Sequence, residues 1–179
     1  MNLFENPFFH LSFANFSKDV NTLITALENE EFHLKDSDLF TFFQTNDLEN
    51  SENTAITELK KKLLSEELLT QLEQETNTTL SRTHLDMFGT IYTPTHYLLP
   101  HDDRLEGRAL AYILYLSDNY DGALCLYGSK DGKPTTVAKK IKPTKNMLVV
   151  FKVSEKSFHE VEEVLAGERL TITGWFHYG

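Results

Sequence analysis

The feature that most constrains the fold of this chain is a change of hydrophobic period at Thr83. From there onward, apolar residues alternate with polar ones in short segments, and turn-forming residues separate these segments. No segment with helical spacing lies between them, so helical crossovers cannot join consecutive strands. The pattern predicts an antiparallel sandwich or barrel of roughly seven short strands.

The residues before Thr83 predict helices that pack against this barrel. Apolar residues at helical spacing indicate an amphipathic helix at 18–30, for which Ser17 is the expected N-cap. A longer leucine stripe indicates helical structure at 54–75. Ser65 and the two glutamates after it resemble a second helix start, so we expect a break there.

Two further segments complete the expected organisation. The aromatic and polar segment 35–48 predicts a strand and loop over the core, and a mobile border of a substrate site is the alternative. A turn is expected at 118–122. We expect one domain at 1–179, with a strand and helical buttress at 1–82, a barrel core at 83–179 and no second C-terminal barrel.

The stretch His101-Asp102-Asp103 carries the clearest candidate chemistry. Side chains two residues apart in a strand point to one face, so His101 and Asp103 can converge on one ion while Asp102 points away. His159 lies much later in the chain, and a two-layered barrel can return it to the same place. Two imidazoles and one carboxylate leave positions open on a metal, which suits non-haem Fe(II) oxygen chemistry.

A fixed cation would complete such a site. A bidentate 2-oxo acid and dioxygen can fill the open metal positions, and the far carboxylate of the acid then needs a partner. Arg169 begins the last predicted strand, and its planar guanidinium suits bidentate pairing with a carboxylate. Tyr115 and Tyr92 are candidates to share that carboxylate, with core packing as the alternative for both.

The remaining histidines and the single cysteine are expected to be structural. Cys125 is expected to be a small buried residue, and it excludes an intrachain disulfide. No partner spacing was recognised for the other histidines, which are His10, His33, His84, His96 and His177.

Charge and composition limit the classes of partner and the cellular compartment that we expect. The formal net charge is −10, which argues against direct nucleic-acid binding and suits a basic protein partner. The N-terminus resembles no signal peptide, and no apolar run reaches the roughly 18 residues of a membrane span. One cysteine fits a reducing compartment, so we expect a cytoplasmic or nuclear protein without a membrane partner.

Longer motifs around these residues resemble a known family, the 2-oxoglutarate- and Fe(II)-dependent prolyl hydroxylases that modify a ribosomal protein. An N-terminal segment at 38–48 is also similar to the family. The motifs that carry the resemblance are HDDRLEGR at 101–108, AYILYL at 111–116, FKVS at 151–154, SFHEV at 157–161 and RLTITGWFH at 169–177.

The resemblance implies a fold and roles for individual residues. The implied fold is a double-stranded β-helix, a jelly-roll barrel of the cupin type. Arg169 would pair with the distal carboxylate of 2-oxoglutarate, Tyr115 would hydrogen-bond to it, and Tyr92 would be a further contact. Trp175 would wall the pocket. The implied iron ligands, which are also catalytic residues, are His101, Asp103 and His159.

The resemblance also implies a reaction. The family hydroxylates a prolyl residue of a small-subunit ribosomal protein, and it consumes dioxygen and 2-oxoglutarate with ascorbate as a supporting reductant. Ribosomal proteins are basic, which fits the negative charge of this chain. Eukaryotic members carry a second, inactive barrel, whose functions are not carried over here. Two alternatives stay open: an oxygenase acting on another side chain or a small molecule, and an inactive binding module.

Overall fold

The computed structural model describes residues 1–118 and 121–179, which form a mainly β structure with helices in the N-terminal half. The helices are α1 (Val20–Leu27), α2 (Thr54–Leu63) and α3 (Glu66–Thr76). Four strands precede α2, namely β1 (Asn2–Phe4), β2 (His10–Phe13), β3 (Phe32–Ser37) and β4 (Phe40–Thr45). The strands after α3 are β5 (Leu80–Leu85), β6 (Phe88–Tyr92), β7 (Tyr97–His101), β8 (Arg108–Tyr115), β9 (Leu124–Lys130), β10 (Lys133–Ile141), β11 (Leu148–Lys152), β12 (His159–Val161) and β13 (Arg169–Tyr178).

The start of α1 differs from the sequence prediction. Asp19, rather than Ser17, is the N-cap, and its carboxylate accepts hydrogen bonds from the backbone N–H groups of Asn21 and Thr22, each at 3.1 Å. The Ser17 hydroxyl accepts from the Asp19 N–H at 3.3 Å instead. A carboxylate directly before the first helical residue reaches two free N–H groups of the first turn, which explains why Asp19 takes the position.

The predicted break in the second helical stretch is confirmed. The first helix of this pair ends at Leu63, and the Ser65 hydroxyl accepts a hydrogen bond from the Leu68 N–H at 3.4 Å to cap the next. That helix ends at Thr76, and its C-cap, Asn77, adopts the left-handed conformation with φ of 49°. A short polar side chain tolerates this conformation, so Asn77 stops the helix and directs the chain into β5.

The described strands form an antiparallel sheet that curls on itself. Their order is β1-β2-β11-β8-β13-β6-β4-β7-β12-β9-β10, with β3 paired to β4 and β5 paired to β13. More strands follow the helices than the seven predicted, because short ones such as β12 are too brief to show alternation. Strands β1–β4 belong to the same sheet, and the domain bounds at 1–82 and 83–179 stay predictions.

Alternation along β8 places the hydrophobic core on two sides of the sheet. Leu110 and Leu114 pack with the leucines of the helices in one buried cluster. Ala111, Ile113 and Tyr115 point the other way and join a second cluster with residues of β9 and β11. Burial of each large apolar side chain contributes about 1.5–3 kcal/mol. The helices therefore cover one face, and the other face is left to enclose the interior of the barrel. The expected mainly β fold with N-terminal helices is confirmed.

The aromatic segment at 35–48 forms the hairpin of β3 and β4. Strand β4 pairs with both β6 and β7, and its residues Phe40, Phe42 and Gln44 line a cavity in the barrel. The segment is thus a strand element that borders the cavity. The turn expected at 118–122 includes residues 119–120, which lie outside the described residues. In the described part of the chain, no helix is long and apolar enough to cross a membrane.

Candidate metal centre and cosubstrate pocket

Three side chains predicted as metal ligands meet at the end of β7. His101 closes this strand and His159 opens β12, and the two residues are direct partners in the antiparallel ladder. The imidazole of His101 lies 3.2 Å from one carboxylate oxygen of Asp103, measured from Nε2 to Oδ1. His159 Nε2 lies 3.4 Å from the other oxygen, Oδ2. Strand pairing therefore brings together residues that are far apart in the sequence.

Strand alternation favoured Asp103 over Asp102, but the structure gives a different reason for the geometry. Strand β7 ends at His101, and Asp103 lies beyond it with a φ of 62°. This left-handed backbone turns the Asp103 carboxylate back toward the two imidazoles. The Asp102 carboxylate instead accepts from Arg104 Nε at 2.8 Å. The choice of residue fits the geometry, whereas the extended backbone assumed for it was wrong.

Hydrogen bonds behind the imidazoles orient both rings. His101 Nδ1 donates to the Leu99 carbonyl at 2.9 Å, and His159 Nδ1 donates to the Ser157 carbonyl at 2.8 Å. A carbonyl can only accept, so each Nδ1 carries a hydrogen, and each Nε2 faces the Asp103 carboxylate as the atom that would coordinate a metal ion once its own proton is displaced. One ligand atom from each of the three residues lies within 4.8 Å of the others. Two imidazole nitrogens and a carboxylate so arranged fit a divalent iron ion.

The electrostatics of the triad also suit a cation. Burial opposes ionisation of Asp103, but the charge of His159 and hydrogen bonds from both imidazoles hold its pKa well below the usual range. Burial lowers the pKa of His101, whereas contact with Asp103 raises it more, so the net direction is upward. The carboxylate thus stays ionised, and a bound metal ion would replace protons as its counter-charge.

The triad opens into a cavity of about 240 Å³ inside the barrel. Strands from β11 to β9 in the sheet order contribute to its wall, which is mostly aromatic and aliphatic. The lining includes Phe40, Phe42, Tyr92, Leu98, Ile113, Leu124, Phe151, Val161, Arg169 and Trp175. An apolar cavity with a few convergent polar groups is the usual form of a small-molecule site.

Arg169 is the buried cation of this cavity. It pairs with Tyr92 across β13 and β6, and its side chain lies 5.0 Å from the Tyr92 ring and 5.2 Å from the Tyr115 ring. The residue is 2 % exposed. Within the described residues, Arg169 Nε and the Tyr115 hydroxyl are buried and have no hydrogen-bond partner. Leaving such groups unpaired is costly, so both fit an external acceptor such as a carboxylate.

The two tyrosines remain neutral hydrogen-bond donors. Burial raises the pKa of Tyr92 and of Tyr115, and the nearby charge of Arg169 offsets this only in part. Tyr92 lines the cavity, whereas Tyr115 contacts Arg169 and is fully buried. The geometry therefore places Tyr115 beside the guanidinium and gives Tyr92 the more open position.

Two features of this region were missed in the sequence. Arg108 begins β8 and stacks on the Trp175 ring at 3.3 Å, so a second cation lines the cavity. The position of a charged residue at the start of an apolar strand is the sequence signal that could have identified Arg108. Outside the lining, His84 and Asp86 gather with His177. They repeat the His-x-Asp spacing of the triad, a signal that the sequence reasoning did not use.

The fold and the site define an iron-dependent oxygenase of the jelly-roll type. Residues 87–177 match the family described as the 2OG-Fe(II) oxygenase superfamily, and the chain belongs to this family. The match includes all three candidate ligands and Arg169. Members of the family use Fe(II), 2-oxoglutarate and dioxygen.

Two similar proteins of known name are prolyl 3-hydroxylases. The chain is 40 % identical over 182 residues to mouse prolyl 3-hydroxylase OGFOD1, covering 96 % of this chain and 33 % of the relative. It is 35 % identical over 164 residues to prolyl 3-hydroxylase sudestada1 of Drosophila melanogaster, covering 84 % of this chain and 30 % of the relative. The chain thus spans about a third of the length of these relatives.

A solved structure shows the same fold. A prolyl-4-hydroxylase of Pseudomonas putida superposes with a TM-score of 0.76 at 21 % identity, covering 95 % of this chain and 92 % of that one. This likeness confirms the predicted double-stranded β-helix.

Proposed function

We propose that this chain is the catalytic domain of an Fe(II)- and 2-oxoglutarate-dependent hydroxylase that acts on a prolyl residue of a protein. The observation that carries the proposal is one apolar cavity that holds the three-ligand set and a buried arginine whose Nε has no hydrogen-bond partner among the described residues. Identity of 40 % to a protein named prolyl 3-hydroxylase supports the choice of proline over other side chains.

His101, Asp103 and His159 would hold the iron ion on one face. When bound, Fe(II) and 2-oxoglutarate supply the oxidising chemistry: dioxygen gives one atom to the substrate and one to succinate, with release of carbon dioxide. The chain contributes preorganised ligands, because carbonyls fix both Nδ1 atoms and leave Nε2 ready to coordinate. The apolar wall excludes water from the reacting centre.

Arg169 would receive the distal carboxylate of 2-oxoglutarate. Its Nε and the Tyr115 hydroxyl have no partner among the described residues, and a carboxylate between them would satisfy both. Tyr92 lines the same part of the cavity and would contact the bound acid. Such a clamp fixes the orientation of the cosubstrate relative to the ligands and so reduces the entropic cost of reaction.

The protein substrate is proposed to be basic, and a small-subunit ribosomal protein in the cytoplasm or nucleus is the specific candidate. The net charge of −10 supports a basic partner. A surface groove lined by Glu160 and Glu163 lies beside β12, and Val161 lines both this groove and the cavity. A basic segment in the groove would lie next to the metal centre. Ascorbate is proposed as a supporting reductant.

The experiment is a peptide hydroxylation assay with purified protein, Fe(II), 2-oxoglutarate and ascorbate. Proline-bearing peptides from small-subunit ribosomal proteins are the substrates, and each has a control in which alanine replaces the proline. The proposal predicts succinate together with a mass gain of one oxygen on a prolyl peptide, and neither with Asp103→Ala. Succinate without a prolyl product would favour an oxygenase of another substrate. If the wild-type protein forms neither succinate nor a hydroxylated product with any of these peptides, the proposal is refuted.

A further inference from the structure

A second histidine and carboxylate cluster lies at the junction of β5 and β13. Asp86 follows β5 directly and stands between two imidazoles. His177 Nε2 lies 3.0 Å from Asp86 Oδ2, and His84 Nε2 lies 3.9 Å from Asp86 Oδ1. The two imidazole rings are 4.1 Å apart between centroids. One ligand atom from each residue lies within 4.8 Å of the others.

This cluster repeats the geometry of the proposed iron site within the same chain. In both places, each oxygen of one carboxylate faces the Nε2 atom of a different histidine. His84 and Asp86 have the same spacing as His101 and Asp103. The second histidine again comes from a paired strand, since β13 pairs with β5.

Glu49 orients the most exposed member of the cluster. Its two carboxylate oxygens each lie 3.2 Å from His84 Nδ1, and its Oε1 also accepts from the Leu85 N–H at 3.1 Å. Burial opposes ionisation of Glu49, but these hydrogen bonds and the Lys60 charge lower its pKa overall. With Nδ1 held by Glu49, Nε2 is the ring nitrogen that faces Asp86, and a carboxylate behind Nδ1 is the usual support of a metal-binding histidine.

The backbone of Asp86 is fixed before any ligand binds. Its N–H donates to the Trp175 carbonyl at 3.1 Å, and its carbonyl accepts from the Tyr112 hydroxyl at 3.0 Å. Gly174 packs so closely that a Cβ there would lie 1.9 Å from the Asp86 carbonyl oxygen. The carboxylate therefore has a set position, and binding an ion costs little ordering.

The three side chains of this cluster do not satisfy all of their own hydrogen-bonding atoms. His177 Nε2 is buried and, within the described residues, has no hydrogen-bond partner, because its short contact with Asp86 lacks hydrogen-bond geometry. The neighbouring cation, Arg108, lies 3.9 Å from Asp86 Oδ2 and stacks instead on Trp175. An ion between the three side chains would take the His177 lone pair and balance the carboxylate.

We propose that His84, Asp86 and His177 form a second metal site, for a divalent transition metal of borderline softness such as Zn(II). Two imidazole nitrogens and one carboxylate oxygen, with water as the fourth ligand, match the preferences of this ion. The site would tie the end of β5 to β13, and it would stabilise the sheet without taking part in oxygen chemistry. The proposal does not depend on the proposed hydroxylase function.

The test is calorimetric titration of the tag-free, metal-free protein with zinc chloride, because Zn(II) also fits the first site. Wild type is expected to bind two equivalents, and Asp103→Ala is expected to keep one. His84→Ala should bind one equivalent and keep the circular dichroism spectrum and the cooperative thermal unfolding of wild type, which shows that it is folded. His33→Ala is the matched control with two equivalents, since the side chains are 41 % exposed at His33 and 49 % at His84.

The titration separates a metal site from a plain ion-pair network. Two equivalents in His84→Ala, or one equivalent in wild type that Asp103→Ala abolishes, would overturn the proposal. If His84→Ala does not fold, His84→Gln replaces it with the same expectations. Anomalous scattering at the zinc edge from crystals grown with zinc chloride should place a peak between the three side chains, and its absence there would also count against the site.

Discussion

Replacement of Arg169 by methionine should separate the stability of the protein from its affinity for 2-oxoglutarate. Methionine is similar in length and fills the space without charge. In the free protein, Arg169 is 2 % exposed and its Nε has no hydrogen-bond partner among the described residues. The buried guanidinium is therefore a cost to the free protein, which the bound acid would offset.

The two effects have different magnitudes. Loss of the contacts with the rings of Tyr92 and Tyr115 costs about 0.5–2 kcal/mol each. Removal of the buried charge offsets this, because apolar replacement of buried charges is often neutral or stabilising. We expect the Tm to change by no more than about 4 °C. Loss of a buried charge pair costs about 3–5 kcal/mol, so 2-oxoglutarate should bind about 100-fold to several thousand-fold more weakly.

The assay pairs thermal unfolding with anaerobic calorimetric titration of 2-oxoglutarate into the Fe(II)-loaded protein. Iron content should be unchanged in Arg169→Met, since the arginine is not a proposed ligand. Arg108→Met is the matched control, because Arg108 is the other arginine that lines the cavity. It should weaken 2-oxoglutarate binding by less than about tenfold, within the 1.4 kcal/mol that a factor of ten represents.

Unchanged affinity of Arg169→Met for 2-oxoglutarate would refute the role proposed for Arg169. A larger loss of affinity in Arg108→Met would also refute it, because the distal carboxylate would then pair with Arg108. A large loss of Tm in Arg169→Met, with affinity preserved, would show that Arg169 serves packing rather than the cosubstrate.

Three further predictions test other parts of the structure. Asp103→Ala should weaken Fe(II) binding more than about 100-fold, measured by titration, whereas Asp102→Ala should leave it near wild type. Gly174→Ala should lower the Tm by about 6–12 °C, because its Cβ would lie 1.9 Å from a carbonyl oxygen and such overpacking costs about 3 kcal/mol. Hydrogen bonds with Arg82 lower the pKa of Glu73 from 4.5 to about 2, so its stabilising effect is present above 4.5 and is lost toward 2. Glu73→Gln should therefore flatten the fall of Tm across that pH range, and an unchanged slope would contradict the pairing.

Much of the fold followed from local patterns. The apolar stripe and the serine start at Ser65 predicted two helices, and the short segments after Thr83 predicted the antiparallel strands. The predicted N-cap of α1 was wrong because Ser17 and Asp19 are both residue types that favour this position. Only the backbone conformation decides which side chain reaches the free N–H groups of the first turn. Short β12 escaped prediction because three residues carry too little periodicity.

The candidate site was harder to predict than the fold, because it depends on long-range strand pairing that local sequence patterns do not show. His101 and His159 are ladder partners, a long-range register that no local spacing encodes. Asp103 was chosen by assuming an extended backbone, yet a φ of 62° turns its carboxylate toward the imidazoles. The cluster at His84 was missed because its third member, His177, joins it through strand pairing at the other end of the chain.

The most direct test of the central claim is a crystal structure grown anaerobically with Mn(II), in place of iron, and 2-oxoglutarate. We predict the metal between His101, Asp103 and His159, coordinated by Nε2 of each histidine and a carboxylate oxygen of Asp103. We also predict the distal carboxylate within about 3 Å of Arg169. Absence of metal from these three ligands, or a distal carboxylate paired with Arg108 rather than Arg169, would contradict the central claim.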